Sequence, residues 1–202
     1  MTRAAAIVVV AGGRSSRFGS DKLKHRVGER TLLERTLDAV RDLGQVVLVT
    51  AAEIVDDGLV TVSEYPRWGG PCAAVVAGLD AVSVSSPDAP VLILPADLAD
   101  PVAAVAALEG IDDGVLVDES GRTQWLLARA PLAVLRARSE ELRSAPGGVD
   151  GLPVSALLGV ISARHEAPGR ASADIDTPAD LATVFSPDPA SLPEEELIHG
   201  TV

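Results

Sequence analysis

Residues 8–22 read VVVAGGRSSRFGSDK, and this stretch decides the fold that we expect. The three valines belong to an apolar run at residues 4–11, which is typical of a strand covered on both faces of a parallel sheet. Gly12 and Gly13 follow at once, so the backbone can turn sharply and approach a ligand closely. We therefore predict that residues 4–11 form the first strand of an α/β domain.

The loop after this strand is basic. Arg14, Arg17 and Lys22 place three cations beside backbone amides, which is the chemistry of a polyphosphate cradle. The loop lacks the P-loop pattern G-x-x-x-x-G-K-[ST], and its spacing also fails the dinucleotide fingerprint G-x-G-x-x-G. A solvated basic loop without a ligand would show the same residues, so this stretch alone leaves both interpretations open.

The bulk composition is that of a globular protein. The chain has 202 residues, of which 47% are hydrophobic and 23% charged, enough for one domain with a proper core, which we expect over residues 1–185. Aromatic residues make up only 2%, so Ala, Val and Leu must build the core. The net charge of −12 disfavours a nucleic-acid partner, but local cations and a metal can still bind a single nucleotide.

Targeting and redox signals are weak. The single cysteine, Cys72, excludes an intramolecular disulfide and is expected to be a small core residue rather than a nucleophile. The N-terminal apolar run of about eight residues ends in Gly-Gly-Arg, unlike a signal peptide, and no run approaches the ~18 residues of a membrane helix. We therefore expect a cytoplasmic protein with no membrane partner. Residues 186–202 are acidic and proline-rich and are expected to be disordered or loosely docked.

Apolar periodicity and turn signals predict alternating strands and helices, as in an α/β fold. The predicted strands are 4–11, 45–50, 58–62, 91–95, 114–117, 124–129 and 160–163. The predicted helices are 31–43, 71–82, 101–108, 131–143 and 178–185. The segment 63–71, with two prolines and two glycines, is a predicted loop.

Ligands of open α/β sheets bind at the carboxyl ends of the strands. Four segments of this chain are expected at the carboxyl ends of strands: residues 12–22, residues 64–71, Asp97 and residues 174–176. Asp97 ends the run LILPAD and is expected to present a carboxylate to Mg²⁺, which takes one or two carboxylates together with substrate phosphates. The alternative is that Asp97 caps the next helix, a role that we assign instead to Asp100.

Asp176 would supply a second carboxylate if the fold brings it to Asp97. The same segment has a structural interpretation, with Thr177 as N-cap and Pro178 as first residue of the last helix. Both interpretations are compatible, because a carboxylate before a helix can face a metal while Thr177 caps.

The remaining candidate residues give no support to a catalytic triad and favour phosphoryl or nucleotidyl transfer. The three histidines share no spacing with a serine or cysteine, so a catalytic triad has no support. Tyr65, Trp68 and Trp125 lie in or near predicted loops, where stacking on a flat ring or plain packing would explain them. Phosphate-binding cations with a metal carboxylate and no nucleophile predict phosphoryl or nucleotidyl transfer, in which catalysis is mostly positioning and charge neutralisation.

Five segments, taken in order, resemble the molybdenum cofactor guanylyltransferases. Residues 11–22 resemble the pattern A-G-G-x-S-x-R-M-G-x-D-K, with Phe18 in place of Met. Glu64-Tyr65-Pro66 with Gly70-Pro71 resembles the family's acidic-x-P…G-P-L-A-G loop, and the sequence LPAD at 94–97 resembles P-C-D with Ala in place of Cys. Gln124 resembles the start of the Q-P-L segment, and DIDTP at 174–178 resembles N-x-N-T-P. The likeness covers roughly residues 5–185.

This resemblance implies a Rossmann-like three-layer α/β sandwich with a mixed, mainly parallel sheet, the nucleotide-diphospho-sugar transferase type. It also implies Mg²⁺-dependent transfer of GMP from GTP to the terminal phosphate of molybdopterin or of the molybdenum cofactor. That phosphate attacks the α-phosphorus of GTP, and pyrophosphate leaves. We expect a monomer or a weak homo-oligomer.

The resemblance also implies roles for individual residues. The implied nucleotide-binding residues are Val10, Ala11, Gly12, Gly13, Arg17, Lys22, Thr50, Glu64 and Asp97. The backbone around Val10 to Gly12 would hold guanine, and Glu64 occupies the position that contacts guanosine. Arg17 and Lys22 would bind the phosphates and stabilise the charge on the leaving pyrophosphate, which makes them catalytic together with Asp97. Asp97 would hold Mg²⁺, and Asp176 would be a second metal contact.

Besides Phe18 and Ala96, the chain departs from the family pattern at positions that bear on the substrates. Cys72 and Ala74 replace Leu and Gly at the mouth of the implied acceptor site, and Asp176 adds negative charge where the family has Asn. These departures bear on the acceptor more than on the donor. One alternative is a related nucleotidyltransferase that uses CTP or another phosphorylated acceptor, such as a sugar phosphate. A non-catalytic nucleotide-binding protein is the other, and the joint presence of phosphate cations and a metal carboxylate argues against it.

Overall fold

A computed structural model describes residues 3–11, 22–52, 58–175, 177 and 180. The strands in these ranges are β1 (Ala6–Val10), β2 (Arg26–Val27), β3 (Arg30–Thr31), β4 (Gln45–Val49), β5 (Leu59–Val62), β6 (Pro90–Pro95), β7 (Gly114–Val117), β8 (Thr123–Pro131) and β9 (Arg164–Glu166). The α-helices are α1 (Leu32–Val40), α2 (Gly70–Ala81), α3 (Pro101–Glu109), α4 (Leu132–Ser144) and α5 (Val154–Leu158), and a 3₁₀ turn spans Lys22–Lys24. Within this part of the chain no helix is long and apolar enough to cross a membrane.

Strand β1 lies at the centre of the main sheet, and all five of its residues are buried. The strand order is β5-β4-β1-β6-β8-β7-β9, with β1 parallel to both β4 and β6. Strand β8 runs antiparallel to its neighbours β6 and β7, and β9 is parallel to β7. The sheet is therefore mixed and mainly parallel, and the valine run is an interior strand with both faces covered.

Two hydrophobic clusters cover the two faces of the sheet. Val8 and Val10 pack on the face that carries α2, α4 and α5, whereas Ile7 and Val9 pack on the face that carries α1 and α3. The expected three-layer sandwich is confirmed. Helix α2 lies close to the sheet because Gly78 has no side chain, and a Cβ there would lie 2.4 Å from Cγ1 of Val8.

Local capping signals are also confirmed. The side chain of Asp100 accepts a hydrogen bond from the Ala103 amide at 3.0 Å, so Asp100 caps α3 as predicted. Thr177 Oγ1 accepts from the Asp180 amide at 3.2 Å, and the Asp180 carboxylate accepts from the Thr177 amide at 2.7 Å. Thr177 is thus an N-cap, although the rest of the predicted helix 178–185 and the tail 186–202 lie outside the described residues.

The prediction for residues 160–163 is wrong, since this segment contains no strand. Helix α5 precedes it and strand β9 follows it. Strand β9 reads Arg-His-Glu at the edge of the sheet, so it has no apolar alternation by which it could be recognised. The two-residue strands β2 and β3, which form a separate hairpin, were likewise not predicted. Helix α5 and the 3₁₀ turn were not predicted either, and the remaining described elements differ from the predictions only at their ends.

Candidate active site

A cleft of about 670 Å³ opens at the carboxyl ends of β1 and β6. Val10 and Pro95, which are paired across these two strands, line it. Further lining residues come from the segment 64–74, from Asp97 and Asp174, and from residues 122–127 at the start of β8. Several segments that are distant in sequence therefore converge where α/β proteins bind ligands.

The cleft lies beyond the point where β8 stops pairing with β6. The pairing between these strands runs from Pro90–Pro131 to Ile93–Ala128. On its other side, β8 pairs Ala128 with Val115 and then Gln124 with Leu116, so three of its residues bulge out of the ladder. A bulge bends a strand and re-aims its side chains. The irregular start of β8 is what directs residues 122–127 toward the cleft.

The loop between β5 and α2 presents Glu64 to the cleft. Its carboxylate accepts a hydrogen bond from the Trp68 amide at 2.9 Å, which closes the turn before α2. Trp68 has a φ of 69°, in the left-handed region, and its side chain is 55% exposed at the cleft. Tyr65 is 86% exposed and does not line the cleft, so of the two aromatic residues in this loop only Trp68 is available there.

Asp97 and Asp174 reach the cleft together because two backbone segments pair. The Ile175 amide donates to the Asp97 carbonyl at 3.0 Å, and the Ala99 amide donates to the Ala173 carbonyl at 2.8 Å. Both aspartates line the cleft. Residues 174 and 175 thus lie beside Asp97, whereas the predicted metal contact Asp176 lies outside the described residues.

The donor set fits a hard divalent cation that keeps substrate and water ligands. Mg²⁺ is bound through one or two carboxylates plus substrate phosphates rather than by a complete protein cage. Asp97 and Asp174 supply two carboxylates at one cleft. The described part of the chain has no group of three or more His, Cys, Asp or Glu residues suited to a metal, which agrees with an open site rather than a closed structural one.

Two predicted nucleotide-binding residues do not line the cleft. Thr50 follows β4 and is buried, and its hydroxyl accepts a hydrogen bond from the Ala52 amide at 3.1 Å. Ala11 is buried and donates its amide to the Val49 carbonyl at 2.8 Å. Both residues make hydrogen bonds at the carboxyl ends of the strands that lead to the site.

Three predicted nucleotide-binding residues lie outside the described residues: Gly12, Gly13 and Arg17. Of Lys22 only the backbone is described. The backbone of Lys22 opens the 3₁₀ turn. The structure therefore describes the strand that leads into the basic loop, but not the loop itself.

Cys72 does not lie at the mouth of the site, contrary to what the family pattern suggested. It is fully buried in the cluster that α2 forms with the sheet, and burial raises the pKa of its thiol. Ala74, on the same helix, does line the cleft. The interpretation of Cys72 as a small core residue is confirmed.

The start of β8 forms a wall of the site; the sequence pointed to Gln124 and Trp125 there, but not to the role of Asp118. Asp118 organises the turn that leads into it, because Oδ1 accepts from the Ser120 amide at 2.9 Å and the Arg122 amide at 3.0 Å. Oδ2 accepts from Nε2 of Gln124 at 2.8 Å. The hydrogen bond from the Ser120 hydroxyl is the main cause that lowers the pKa of Asp118, so this carboxylate is ionised at neutral pH. The pattern Asp-x-Ser-Gly at 118–121 is a turn signal that pointed to this feature.

The charged side chains that line the described part of the cleft are mainly acidic. Glu64, Asp97 and Asp174 contribute carboxylates, and Arg122 contributes a guanidinium. A bound polyphosphate therefore needs additional cations or a metal ion at this edge of the sheet.

The mixed sheet, the three layers and the acidic pair at the strand ends define an α/β fold of the nucleotidyltransferase type. Residues 7–152, more than two thirds of the chain, match the family described as the MobA-like NTP transferase domain. The chain therefore belongs to the MobA-like NTP transferase family and carries the domain of a nucleotidyltransferase.

The individual proteins that this chain resembles match only part of it or have low sequence identity to it. A molybdenum cofactor guanylyltransferase of Rhizobium johnstonii is 35% identical over 83 residues, a stretch that covers 41% of this chain and 38% of that protein. The solved molybdopterin-guanine dinucleotide biosynthesis protein A of Archaeoglobus fulgidus superposes with a TM-score of 0.64 at 18% identity, covering 89% of this chain and 96% of that one. The 2-C-methyl-D-erythritol 4-phosphate cytidylyltransferase of Thermus thermophilus superposes with a TM-score of 0.62 at 21% identity, covering 91% and 98%. At these identities the two structures are evidence for the fold alone.

Proposed function

We propose that the chain transfers GMP from GTP to the terminal phosphate of molybdopterin in an Mg²⁺-dependent reaction. An oxygen of the acceptor phosphate attacks the α-phosphorus of GTP. The bond from that phosphorus to the bridging oxygen of the β-phosphate breaks, and pyrophosphate leaves with the electron pair. The observation that carries the proposal is the convergence of Val10, Glu64 and Asp97 on one cleft in a MobA-like NTP transferase.

In this proposal the strand end at Val10 leads into the donor site. The backbone around Val10 to Gly12 takes the guanine, and Glu64 contacts the guanosine. Arg17 and Lys22 bind the phosphates and stabilise the charge that grows on the leaving pyrophosphate. Because the described cleft is mainly acidic, these two cations are needed to bind a nucleoside triphosphate there.

Asp97 holds the metal in this proposal, with Asp176 as a second contact and Asp174 as a third carboxylate close by. A bound Mg²⁺ would neutralise phosphate charge and thereby favour attack at phosphorus. The protein's own contribution is to hold the acidic groups in place, which the hydrogen bond from the Ile175 amide to the Asp97 carbonyl does.

The Rhizobium relative favours a guanylyl group and the molybdenum cofactor, because its name states both. The likeness to cytidylyltransferases is an observation that favours a second candidate, transfer of CMP from CTP to another phosphorylated acceptor. The fold is compatible with both donors, so the base must be tested directly.

The first experiment is thermal unfolding of the protein with Mg²⁺ and GTP, CTP or ATP. At a ligand concentration of about 100 times Kd we expect GTP to stabilise by about 2.7 kcal/mol, which raises Tm by roughly 5–10 °C for a chain of this size. A larger response to CTP favours the second candidate. If none of the nucleotides changes Tm, both candidates are refuted.

The second experiment measures pyrophosphate release with GTP and molybdopterin. We expect turnover by the unmodified chain and a large loss in Arg17→Ala, because this cation faces the phosphates in the proposal. Arg14→Ala is the matched variant in the same loop, and we expect a smaller loss. Equal losses in the two variants would contradict the assignment of Arg17.

A further inference from the structure

Helix α1 carries a buried threonine whose hydroxyl bonds outside its own helix. Thr36 has no exposed surface, and a threonine in the middle of a helix commonly returns its hydroxyl to the carbonyl four residues earlier. Here Oγ1 donates to the Ala96 carbonyl at 3.3 Å, just after the end of β6. A valine has the same branched shape and would fill this place without a polar group, so packing alone does not explain the hydroxyl.

The hydroxyl fixes one of the two peptide planes that flank Asp97. The peptide group between Ala96 and Asp97 is planar, so a bond that anchors the Ala96 carbonyl also anchors the Asp97 nitrogen. The Ala96 amide, on the other side of the same residue, donates to the Val10 carbonyl at 3.0 Å. Residue 96 is thus held by β1 through its amide and by α1 through its carbonyl.

The second peptide plane beside Asp97 is anchored by another segment. The Asp97 carbonyl, which lies in the plane that follows this residue, accepts the hydrogen bond from the Ile175 amide at 3.0 Å. Because both flanking planes are held, the backbone torsions φ and ψ of Asp97 are fixed, and so is the direction of its Cα–Cβ bond. Only the two torsions of the side chain itself remain to orient the carboxylate.

Other residues of α1 hold the far end of the same turn. Nη2 of Arg35 donates to the Ala99 carbonyl at 3.2 Å. Leu32 packs with Ala99 and Ile175 in one buried cluster. One helix therefore seats the segment 96–99 by hydrogen bonds at both ends and by apolar contact.

We propose that Thr36 is a positioning residue that aims the Asp97 carboxylate at the metal ion. Thr36 does not line the cleft and acts through the Ala96 carbonyl. A carboxylate that the backbone already holds in place loses less freedom when it binds a cation, so its affinity is higher than that of a mobile one. The inference rests on the proposed function, because Asp97 is the metal contact there.

The first test compares Thr36→Val with Thr36→Ser by binding of Mn²⁺, which takes the same oxygen ligands as Mg²⁺. The electron paramagnetic resonance signal of free Mn²⁺ gives the Kd for the protein alone. Thr36→Val keeps the shape but removes the donor, and loss of one neutral hydrogen bond should raise this Kd about fivefold. Thr36→Ser keeps the donor, so its Kd should stay within about twofold of the parent value.

Thermal unfolding separates this effect from a loss of stability. Thr36→Ser leaves a methyl-sized cavity, which should lower Tm by about 2–4 °C without weakening Mn²⁺ binding. Ser139→Ala is the matched control, because Ser139 is also buried and its hydroxyl donates to a backbone carbonyl, that of Leu135, at 2.8 Å. This bond lies within α4, so we expect a Kd for Mn²⁺ within about twofold of the parent value. A Thr36→Ser protein that binds Mn²⁺ as weakly as Thr36→Val would show that packing, not the hydroxyl, matters.

The second test measures pyrophosphate release with GTP and molybdopterin at varied Mg²⁺. In Thr36→Val the Mg²⁺ concentration for half-maximal rate should rise about fivefold, while the KM for GTP at saturating Mg²⁺ stays within about twofold. A KM for GTP that rises as much as the Mg²⁺ requirement would contradict a role directed at the metal carboxylate.

Asp97→Asn separates the inference from the proposed function. If this variant binds Mn²⁺ at least about fivefold more weakly while Thr36→Val binds it like the parent, the inference alone is refuted. If Asp97→Asn binds Mn²⁺ like the parent, the metal assignment fails and the inference fails with it. If the expected order of Mn²⁺ affinities is found in a protein that releases no pyrophosphate, only the proposed transfer reaction is refuted.

Discussion

The packing of α2 on the sheet can be tested with the variant Gly78→Ala. A Cβ at this position would lie 2.4 Å from Cγ1 of Val8 and 2.9 Å from Cγ2 of Val49. Both distances are too short for carbon atoms, and the two valines are on adjacent central strands that cannot move independently. The helix must therefore shift away from the sheet.

The expected cost follows from two opposing terms. Overpacking of a tight core usually costs about 1–3 kcal/mol, and two simultaneous clashes with core strands place this variant near 3. Replacing glycine by alanine inside a helix stabilises by about 1 kcal/mol. The net loss of about 2 kcal/mol should lower Tm by roughly 4–8 °C in a chain of this size.

Chemical and thermal unfolding would measure this loss, with Gly110→Ala as control. At Gly110 the nearest atom to a new Cβ is the Ala106 carbonyl oxygen at 3.3 Å, so we expect a change within about 1 kcal/mol. In the double variant Val8→Ala/Gly78→Ala the clash with Val8 is removed, and the two losses should fall short of additivity by about 1–2 kcal/mol. A Gly78→Ala protein as stable as its parent would refute the packing argument.

Three further variants test other parts of the molecule. Glu109→Ala removes the carboxylate that lies 2.8 Å from the buried Arg129 guanidinium. The free energy of unfolding, measured by urea titration, should fall by about 3–5 kcal/mol. A loss under about 1 kcal/mol would show that this ion pair contributes little to stability. Glu34→Gln tests the capping box of α1. Hydrogen bonds from Thr31 lower the pKa of Glu34. The ionised carboxylate therefore stabilises the fold above the ordinary carboxyl pKa, and this stabilisation is lost as the pH falls through the lowered pKa. The stability difference between parent and Glu34→Gln should therefore shrink below about pH 4, and a difference constant down to pH 2 would argue against it. Asp97→Asn should leave Tm nearly unchanged and reduce kcat with GTP by about 10²–10³-fold, whereas near-parental turnover would show that Asp97 does not act in the reaction.

Local sequence signals were sufficient for the centre of the fold. The valine run at 8–10 is typical of a strand that is covered on both faces, and β1 is such a strand. Asp100 and Thr177 were recognisable as caps since capping depends on residues three positions away. Asp97 at the end of an apolar strand was recognisable as a cleft residue for the same local reason.

Contacts between distant segments could not be deduced in this way. The edge strand β9 reads Arg-His-Glu and is a strand only because β7 offers it a parallel partner. Asp174 lies near Asp97 because its neighbours Ala173 and Ile175 make backbone hydrogen bonds to the segment 97–99. No periodicity in the sequence predicts this pairing. Cys72 and Ala74 are only two positions apart on α2, yet only Ala74 lines the cleft.

The basic loop that follows β1 remains the sequence's clearest sign of a nucleotide site, because glycines and cations have a chemistry of their own wherever the chain places them. The opposite wall depends on tertiary structure. The bulge of β8 arises where this strand leaves β6 while staying paired with β7, and this geometry brings Gln124 and Trp125 to one side. A basic, glycine-containing loop can be recognised from consecutive residues, whereas the opposite wall of the cleft exists only once separate strands have been packed together.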